Sequence, residues 1–283
     1  MIDLHTHTTA SDGRCTPDQL VARASAAGVT VLSVTDHDTV AATDAAAAAC
    51  RTAGIEFVSG IEITAVREGA DLHVLGYFLH AASPVLETFL ADQRRRRITR
   101  VREMIDRLAG LGIRLDPDAI LRPGLDDPSK AVGRPWIASA LVAAGHVADK
   151  NEAFDRFLAR GRPAFVPRTG APPEEVFARI HDAGGIASVA HPGLIGRDEW
   201  LDEFAASGVD ALEAFHSDHD EEATMRYLAL ARRLDLAVTG GSDYHADETH
   251  GAAHPGSVSL PRDHYDRLRA TRRATASGDD TSS

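Results

Sequence analysis

Two cysteines in 283 residues, Cys15 and Cys50, are too few for a disulfide framework. A reducing compartment follows, and the cytoplasm is the expected location. Long apolar runs are missing too: no stretch approaches the roughly 20 residues that span a bilayer, so no membrane partner is expected. The chain reads as a strand from Ile2, which leaves no room for a signal peptide. Positive charge is also short. Thirty Lys and Arg stand against 42 Asp and Glu, a formal net charge of -12. That argues against the broad basic surface on which non-specific duplex nucleic-acid binding depends. A small phosphorylated molecule held by a few local cations remains compatible with it. With 43% hydrophobic residues, the chain can bury a full core in one large domain or two unequal ones. No feature speaks to oligomeric state.

Histidine is what the chain has in excess: there are 14, several at the ends of expected strands. The first strand reads Ile2-Asp3-Leu4-His5-Thr6-His7, with Asp12 five residues on. Side chains alternate faces along a strand, so Asp3, His5 and His7 share one side, the two imidazoles roughly 6.5 Å apart along it. Neutral imidazoles beside a carboxylate suit first-row divalent metals. The search therefore moves to the ends of the later strands.

A strand-helix rhythm runs through the chain. Thr16-Pro17-Asp18-Gln19 has the form of a capping box with proline at the first helical position, and Gly28 stops the helix. Strand Val29–Thr35 ends in Asp36-His37-Asp38, helix Thr43–Ala53 stops at Gly54, and strand Ile55–Ser59 leads into Gly60-Ile61-Glu62. A fourth strand, Leu72–Phe78, contains His73. Helices alone follow: Val85–Leu111, one after Pro135, and Asp149–Arg160, where Asp149 and Glu152 form a second capping pair. The rhythm resumes with strands Ile186–Ala190, Val209–Phe215 and Leu236–Thr239, which run into His191-Pro192, His216 and Gly240-Gly241-Ser242-Asp243-Tyr244-His245. Seven strands in this register imply an α/β fold with a parallel sheet closed into a TIM-like (β/α)7 barrel. The expected division is barrel over 1–83, helical insert over 84–168, barrel again over 169–265, and an irregular tail over 266–283.

In such a barrel the strand ends converge on one mouth. The set there is His5, His7, Asp12, His37, Glu62, His73, His191, Asp243 and His245. Nine ligand-type residues exceed the need of one metal and suit two or three, and clustered metals carry out phosphoester hydrolysis. Mixed imidazole and carboxylate ligation fits Mn, Fe or Zn. Asp36 and Asp38 read as loop and cap residues.

The segments DLHTHTTASDG, VTDHDT, GIEIT, LHVLGY, AHPG and GSDYH resemble the successive motifs of the PHP (polymerase and histidinol phosphatase) superfamily, whose fold is a distorted seven-stranded βα barrel. The insert GRPWIASALVAAGHVADKNEAFDRFLARGRPAFVPR is similar to that of its nucleotide-directed phosphoesterases. The resemblance implies three metal sites. His5, His7, Glu62 and Asp243 hold the first and form the catalytic core around an activated hydroxide. Glu62 bridges to a second metal on His73 and His191, and Asp12, His37 and His245 hold a third. It also implies a small nucleotide or short oligonucleotide as substrate. A nucleoside 3',5'-bisphosphate leads. The alternatives are 5'-to-3' trimming of short RNA, a histidinol-phosphate-type phosphatase, and a non-catalytic metal-binding sensor.

Arg134 and Arg168 are the expected phosphate contacts, because guanidinium matches phosphate in a bidentate way; Lys130 is a further candidate. His216 and His219, just past the sixth strand, are candidate general acids. Relatives usually carry histidine after GRP, where this chain has Trp136, which removes one polar contact and offers a stacking surface. The run Arg94–Arg97, with Arg100 and Arg102, reads as a solvated helix face.

Overall fold

The computed structural model describes residues 1–126, 132–246 and 252–276. Seven strands lie in sequential order in one sheet: β1 (Ile2–Asp3), β2 (Val31–Val34), β3 (Glu56–Arg67), β4 (Ala70–Tyr77), β5 (Ile186–Val189), β6 (Ala211–Phe215) and β7 (Ala237–Gly240). Beyond β1 and β7 the two edges meet. Leu4 N donates to Gly240 O at 3.2 Å, Asp243 N to His5 O at 2.8 Å, and His7 N to Tyr244 O at 3.0 Å. The result is the expected barrel.

The helices are α1 (Pro17–Ala26), α2 (Thr43–Ala53), α3 (Pro84–Gly110), α4 (Pro117–Asp126), α5 (Arg134–Ala143), α6 (Lys150–Ala153), α7 (Pro173–Asp182), α8 (Pro192–Ile195), α9 (Trp200–Ala206), α10 (Glu221–Arg233) and α11 (Arg262–Ala276). A π-helical turn, Phe154–Leu158, continues α6. The capping signals act as read: Thr16 and Gln19 cap α1 reciprocally, Asp149 caps α6, and Gly54 ends α2 in the left-handed region at φ 71°. None of the helices in the described residues is long and apolar enough to cross a membrane.

The sheet is mixed and not parallel throughout: β4 runs antiparallel to both β3 and β5. Glu68 and Gly69, with φ 51° and 72°, make a two-residue turn between β3 and β4. Positive φ at both positions matches the right-handed twist of a hairpin. No Asn-Gly or Asp-Gly marks this turn, and the periodicity of a short apolar strand carries no direction. The reversal has a consequence for the site. It puts the start of β4, and with it His73, at the mouth where the parallel strands end.

Two cores form. One packs the sheet against α7, α9, α10 and α11; the other lies wholly between residues 101 and 166, among α3 to α6. The long α3 joins them, giving Leu86, Phe89 and Leu90 to the first and Val101, Met104, Ile105 and Leu108 to the second. The tail departs from expectation. It remains helical through α11, where Tyr265 and Leu268 are buried on one face. Their arginine-rich surroundings hide these two anchors in the sequence. Residues 277–283 lie outside the described residues.

The seam between first and last strands depends on Asp3, which shares a face with His5 and His7 but sits deeper in the barrel. Its Oδ1 accepts from Ser242 N at 2.9 Å and His5 N at 3.3 Å, and its Oδ2 from Ser242 Oγ at 2.6 Å and Gly256 N at 2.7 Å. A Cβ on Gly241 would lie 2.3 Å from His5 N, so only glycine lets the strands approach this closely. Asp3→Ala leaves these donors buried without an acceptor, at about 1–3 kcal/mol each. Stability should fall by at least about 3 kcal/mol, read from the urea midpoint of the metal-free protein; an unchanged midpoint would contradict the seam's dependence on Asp3.

Candidate metal centre

All nine ligand-type residues of the sequence converge at one end of the barrel. Glu62, 1% exposed, stands at the middle. Its Oε2 faces His37 Nδ1 at 2.9 Å, His7 Nε2 at 3.3 Å and His5 Nε2 at 3.5 Å. Its Oε1 faces His73 Nδ1 at 2.9 Å and His191 Nε2 at 3.1 Å. Asp243 Oδ1 lies 3.2 Å from His5 Nε2 and 3.1 Å from His7 Nε2. Asp12 completes a cluster with His7, His37 and His245, whose ligand atoms all lie within 4.8 Å of one another.

Backbone geometry places these groups. His5 and His7 alternate out of the extension of β1. Glu62, Thr64 and His73 share one face because Thr64 pairs with His73 across the hairpin. His191 and Asp243 adopt left-handed backbone, with φ 25° and 54°. Such conformations cost of order 1–3 kcal/mol and persist where surrounding structure over-determines them. Here Glu213 Oε2 accepts the His191 amide at 2.7 Å, and His5 O accepts the Asp243 amide at 2.8 Å.

The donor set fits divalent cations. Nε2 of His5 and His7, Nδ1 of His37 and Oε2 of Glu62 are buried with no hydrogen-bond partner among the described residues, although they lie within 2.9–3.5 Å of one another as pairs. Lone pairs aimed at a common space without hydrogen-bond alignment are what a metal centre requires. The opposite ring nitrogens are anchored in the way metal-bound imidazoles are: His5 Nδ1 lies 3.0 Å from Glu213 Oε1, and His245 Nδ1 lies 2.9 Å from Asp243 O.

Electrostatics agree. Burial opposes the charge on Glu62, but the neighbouring His37, His73 and His5 rings overcome it and hold the carboxyl well below its ordinary range. Asp243 and Asp12 are driven the same way against burial, chiefly by His5 and His37 respectively. Burial pushes His7 down, while the Asp243 and Glu62 carboxylates beside it raise it to about 10. Without cations, protons held on His5 and His7 offset the charge of the carboxylates around them.

The general-acid candidates are placed differently from expectation. His219 has both nitrogens engaged by backbone: Nε2 accepts from Gly193 N at 3.2 Å and Nδ1 faces Ala214 O at 2.9 Å. His216 Nδ1 accepts from Asp218 N at 3.1 Å, while its Nε2 lies 3.4 Å from Asp243 Oδ2 with no hydrogen-bond partner among the described residues, and with His5 and Asp243 it forms a further group able to hold a cation. His216 is buried behind Asp243, and neither histidine lines the cavity in front of the cluster. Asp36 and Asp38 are structural, as read: Asp36 accepts from Thr8 and Ser11, and Asp38 from Thr64 N.

That cavity, about 630 Å³, is lined by Asp12, His37, His73 and His191 together with Arg97, Arg100, Arg134 and Arg168. Arg134, Trp136 and Arg168 line this cavity, while Lys130 lies outside the described residues. The solvated-face reading of Arg97 and Arg100 is corrected. Arg97 pairs with Asp38 and reaches Thr64 Oγ1; Arg100 is buried, donating from Nε to Val166 O at 2.8 Å. One helical turn apart, they share the face that α3 turns towards the barrel mouth.

A barrel with this mouth is the framework of a metal-dependent phosphoesterase. The PHP domain pattern matches residues 3–118. The chain is similar to a 5'-3' exoribonuclease from Haemophilus influenzae, 36% identical over 253 residues that cover 86% of this chain and 89% of the relative. It is 33% identical over 250 residues to a 3',5'-nucleoside bisphosphate phosphatase from Chromobacterium violaceum, covering 87% of each. A crystal structure from Bifidobacterium adolescentis, described as that of a metal-dependent phosphoesterase, superposes with a TM-score of 0.82 at 33% identity over 95% of both chains. The chain belongs to the PHP family, and the relatives are hydrolytic phosphoesterases.

Metal loading must displace the protons that the free cluster holds. Because His7 stays protonated up to about pH 10, apparent metal affinity should rise with pH from 6 towards 10, by roughly tenfold per unit for each proton displaced. Calorimetric zinc titration of metal-free protein in buffers of different ionisation enthalpy reads the proton release directly. Zero release would contradict the ligand assignment.

Proposed function

We propose that the chain is a phosphomonoesterase that converts a nucleoside 3',5'-bisphosphate to the nucleoside 5'-monophosphate at a centre of up to three Mn, Fe or Zn ions. The observation that carries this reading is a single cavity lined both by ligand residues and by four arginines. The ligand assignment follows the three sets stated above, with His5, His7, Glu62 and Asp243 at the core. Divalent ions there withdraw charge from phosphoryl oxygens and activate water at neutral pH.

The arginines supply what a second phosphate needs. Arg134 lies over Phe154 and Phe165, 5.7 and 6.0 Å from the ring centroids, and forms no ion pair with a carboxylate of the described residues. Burial, with Arg97 beside it, pushes Arg168 down to about 10, still fully cationic at neutral pH; Asp71 lies 3.4 Å from its Nε. A dianionic phosphate between Arg134 and Arg168 offsets this positive excess. Trp136 lines the same cavity, its ring edge 3.3 Å from where a Gly124 Cβ would stand, and offers the base a flat surface. A cytoplasmic location belongs to the same reading, supported by two free, buried thiols. A second reading, stepwise removal of 5' nucleotides from short RNA, is favoured by the Haemophilus relative and uses the same cavity.

The test offers metal-loaded protein a nucleoside 3',5'-bisphosphate, a 5'-monophosphate and a short 5'-phosphorylated RNA. The bisphosphate should show the highest kcat/KM for phosphate release. Nucleotide release from RNA at higher efficiency would favour the second reading, and no turnover of any of them would overturn both. Arg134→Ala should raise KM for the bisphosphate roughly tenfold, a loss of about 1.4 kcal/mol, with little effect on p-nitrophenyl phosphate, which lacks the second phosphate.

A further inference from the structure

Glu213 lies in β6 with no solvent exposure, beneath the ligand cluster and outside every group of residues that could itself close on a cation. Both its oxygens are committed. Oε1 is 3.0 Å from His5 Nδ1, and Oε2 accepts the His191 backbone N–H at 2.7 Å. These histidines come from opposite sides of the barrel and, in the ligand assignment proposed above, serve different metals. We propose that Glu213 is the positioning residue of the centre. It fixes His5 in the Nδ1–H tautomer and pins the left-handed backbone of His191, so that one carboxylate orients ligands of two metal sites. The inference rests on that ligand assignment.

The tautomer matters because only one His5 nitrogen faces the cluster. Nε2 points at Asp243 and Glu62, 3.2 and 3.5 Å away. With the proton on Nδ1, held by Glu213, the Nε2 lone pair is free for a cation. A proton on Nε2 would remove it. His191 depends on the same carboxylate through its backbone: its φ of 25° is one that an unheld residue leaves readily, and its Nε2 must stay 3.1 Å from Glu62 Oε1.

The geometry makes glutamine a sharper probe than alanine. A carboxylate accepts twice, whereas an amide accepts once and donates once. The His191 N–H can only donate, so the glutamine oxygen is drawn to it and the NH2 group faces His5 Nδ1. His5 must then accept at Nδ1 and carry its proton on Nε2, the wrong tautomer for a ligand. The reverse amide orientation opposes two N–H groups at His191 and releases that ligand instead. Alanine leaves both donors buried without an acceptor, which costs stability, but allows His5 to keep Nδ1–H.

Zinc titration by calorimetry, elemental metal counts, urea midpoints and histidine 1H–15N spectra of wild type, Glu213→Gln and Glu213→Ala test this. Glu213→Gln should lose about 10–100-fold in zinc affinity. Zinc affinity should fall in the order wild type, Ala, Gln, while stability falls in the order wild type, Gln, Ala. A merely structural glutamate gives the same order in both measurements, and that result overturns the proposal. In wild-type protein loaded with zinc, His5 should show a protonated Nδ1 and a metal-bound Nε2; the opposite pattern overturns it without any variant. Wild type that takes up no zinc overturns the ligand assignment itself, a failure distinct from variants that bind zinc as wild type does.

Discussion

A single buried carboxylate surrounded by five imidazoles organises this molecule. Glu62 faces His5, His7, His37, His73 and His191, each within 3.5 Å. An isolated buried carboxylate would be costly enough to take up a proton; this one stays ionised because cationic partners converge on it. Its backbone is fixed as firmly as its side chain: Glu62 N donates to Asp36 O and Glu62 O accepts from Asp38 N. The loop carrying His37 is thus stitched onto β3 at the residue that needs His37 beside it.

Closure of the barrel and construction of the site are the same event. The backbone bonds joining residues 4–7 to 240–244 bring His5 and His7 against Asp243 and His245, and the His7 and His245 rings stack with centroids 4.1 Å apart. Asp3 and Gly241 make that approach possible from below, one by accepting the seam's amides, the other by having no side chain. Stabilising polar bonds sit where the barrel is narrow, and the lone pairs that find no protein partner sit where it opens.

The convergence of the nine ligand-type residues was legible in the sequence because a βα barrel collects strand ends, and residue type at a strand end is local information. His73 was legible for a different physical reason from the one that places it: it stands at the beginning of a strand, and only the reversal of β4 brings that beginning to the mouth. Glu213 was not legible. In Ala211-Leu212-Glu213-Ala214-Phe215 it reads as one acidic residue in an apolar strand, and its two acceptor bonds join segments 208 and 22 residues away. The roles of Arg97 and Arg100 were hidden by their neighbours, since a run of four consecutive arginines has no periodicity to show which of them turn inward. His216 and His219 looked like acids by position alone; backbone groups engage ring nitrogens of both.

The remaining constraint is how the cavity arginines of α3 are held beside the ligand cluster. Arg97 and Arg100 stand at the point where α3 passes from the barrel core, at Leu90, to the insert core, at Val101. A continuous helix transmits the position of one core to the other with a rise of about 1.5 Å per residue. Arg97 and Arg100 are therefore held relative to the ligand cluster by the helix, and Arg97 adds an ion pair to Asp38, next to His37. Overall charge points the other way, at -12 for the chain. In the proposed function, selection of an anion is therefore a local property of this cavity, whose arginines are held by their own carboxylates or aromatic neighbours.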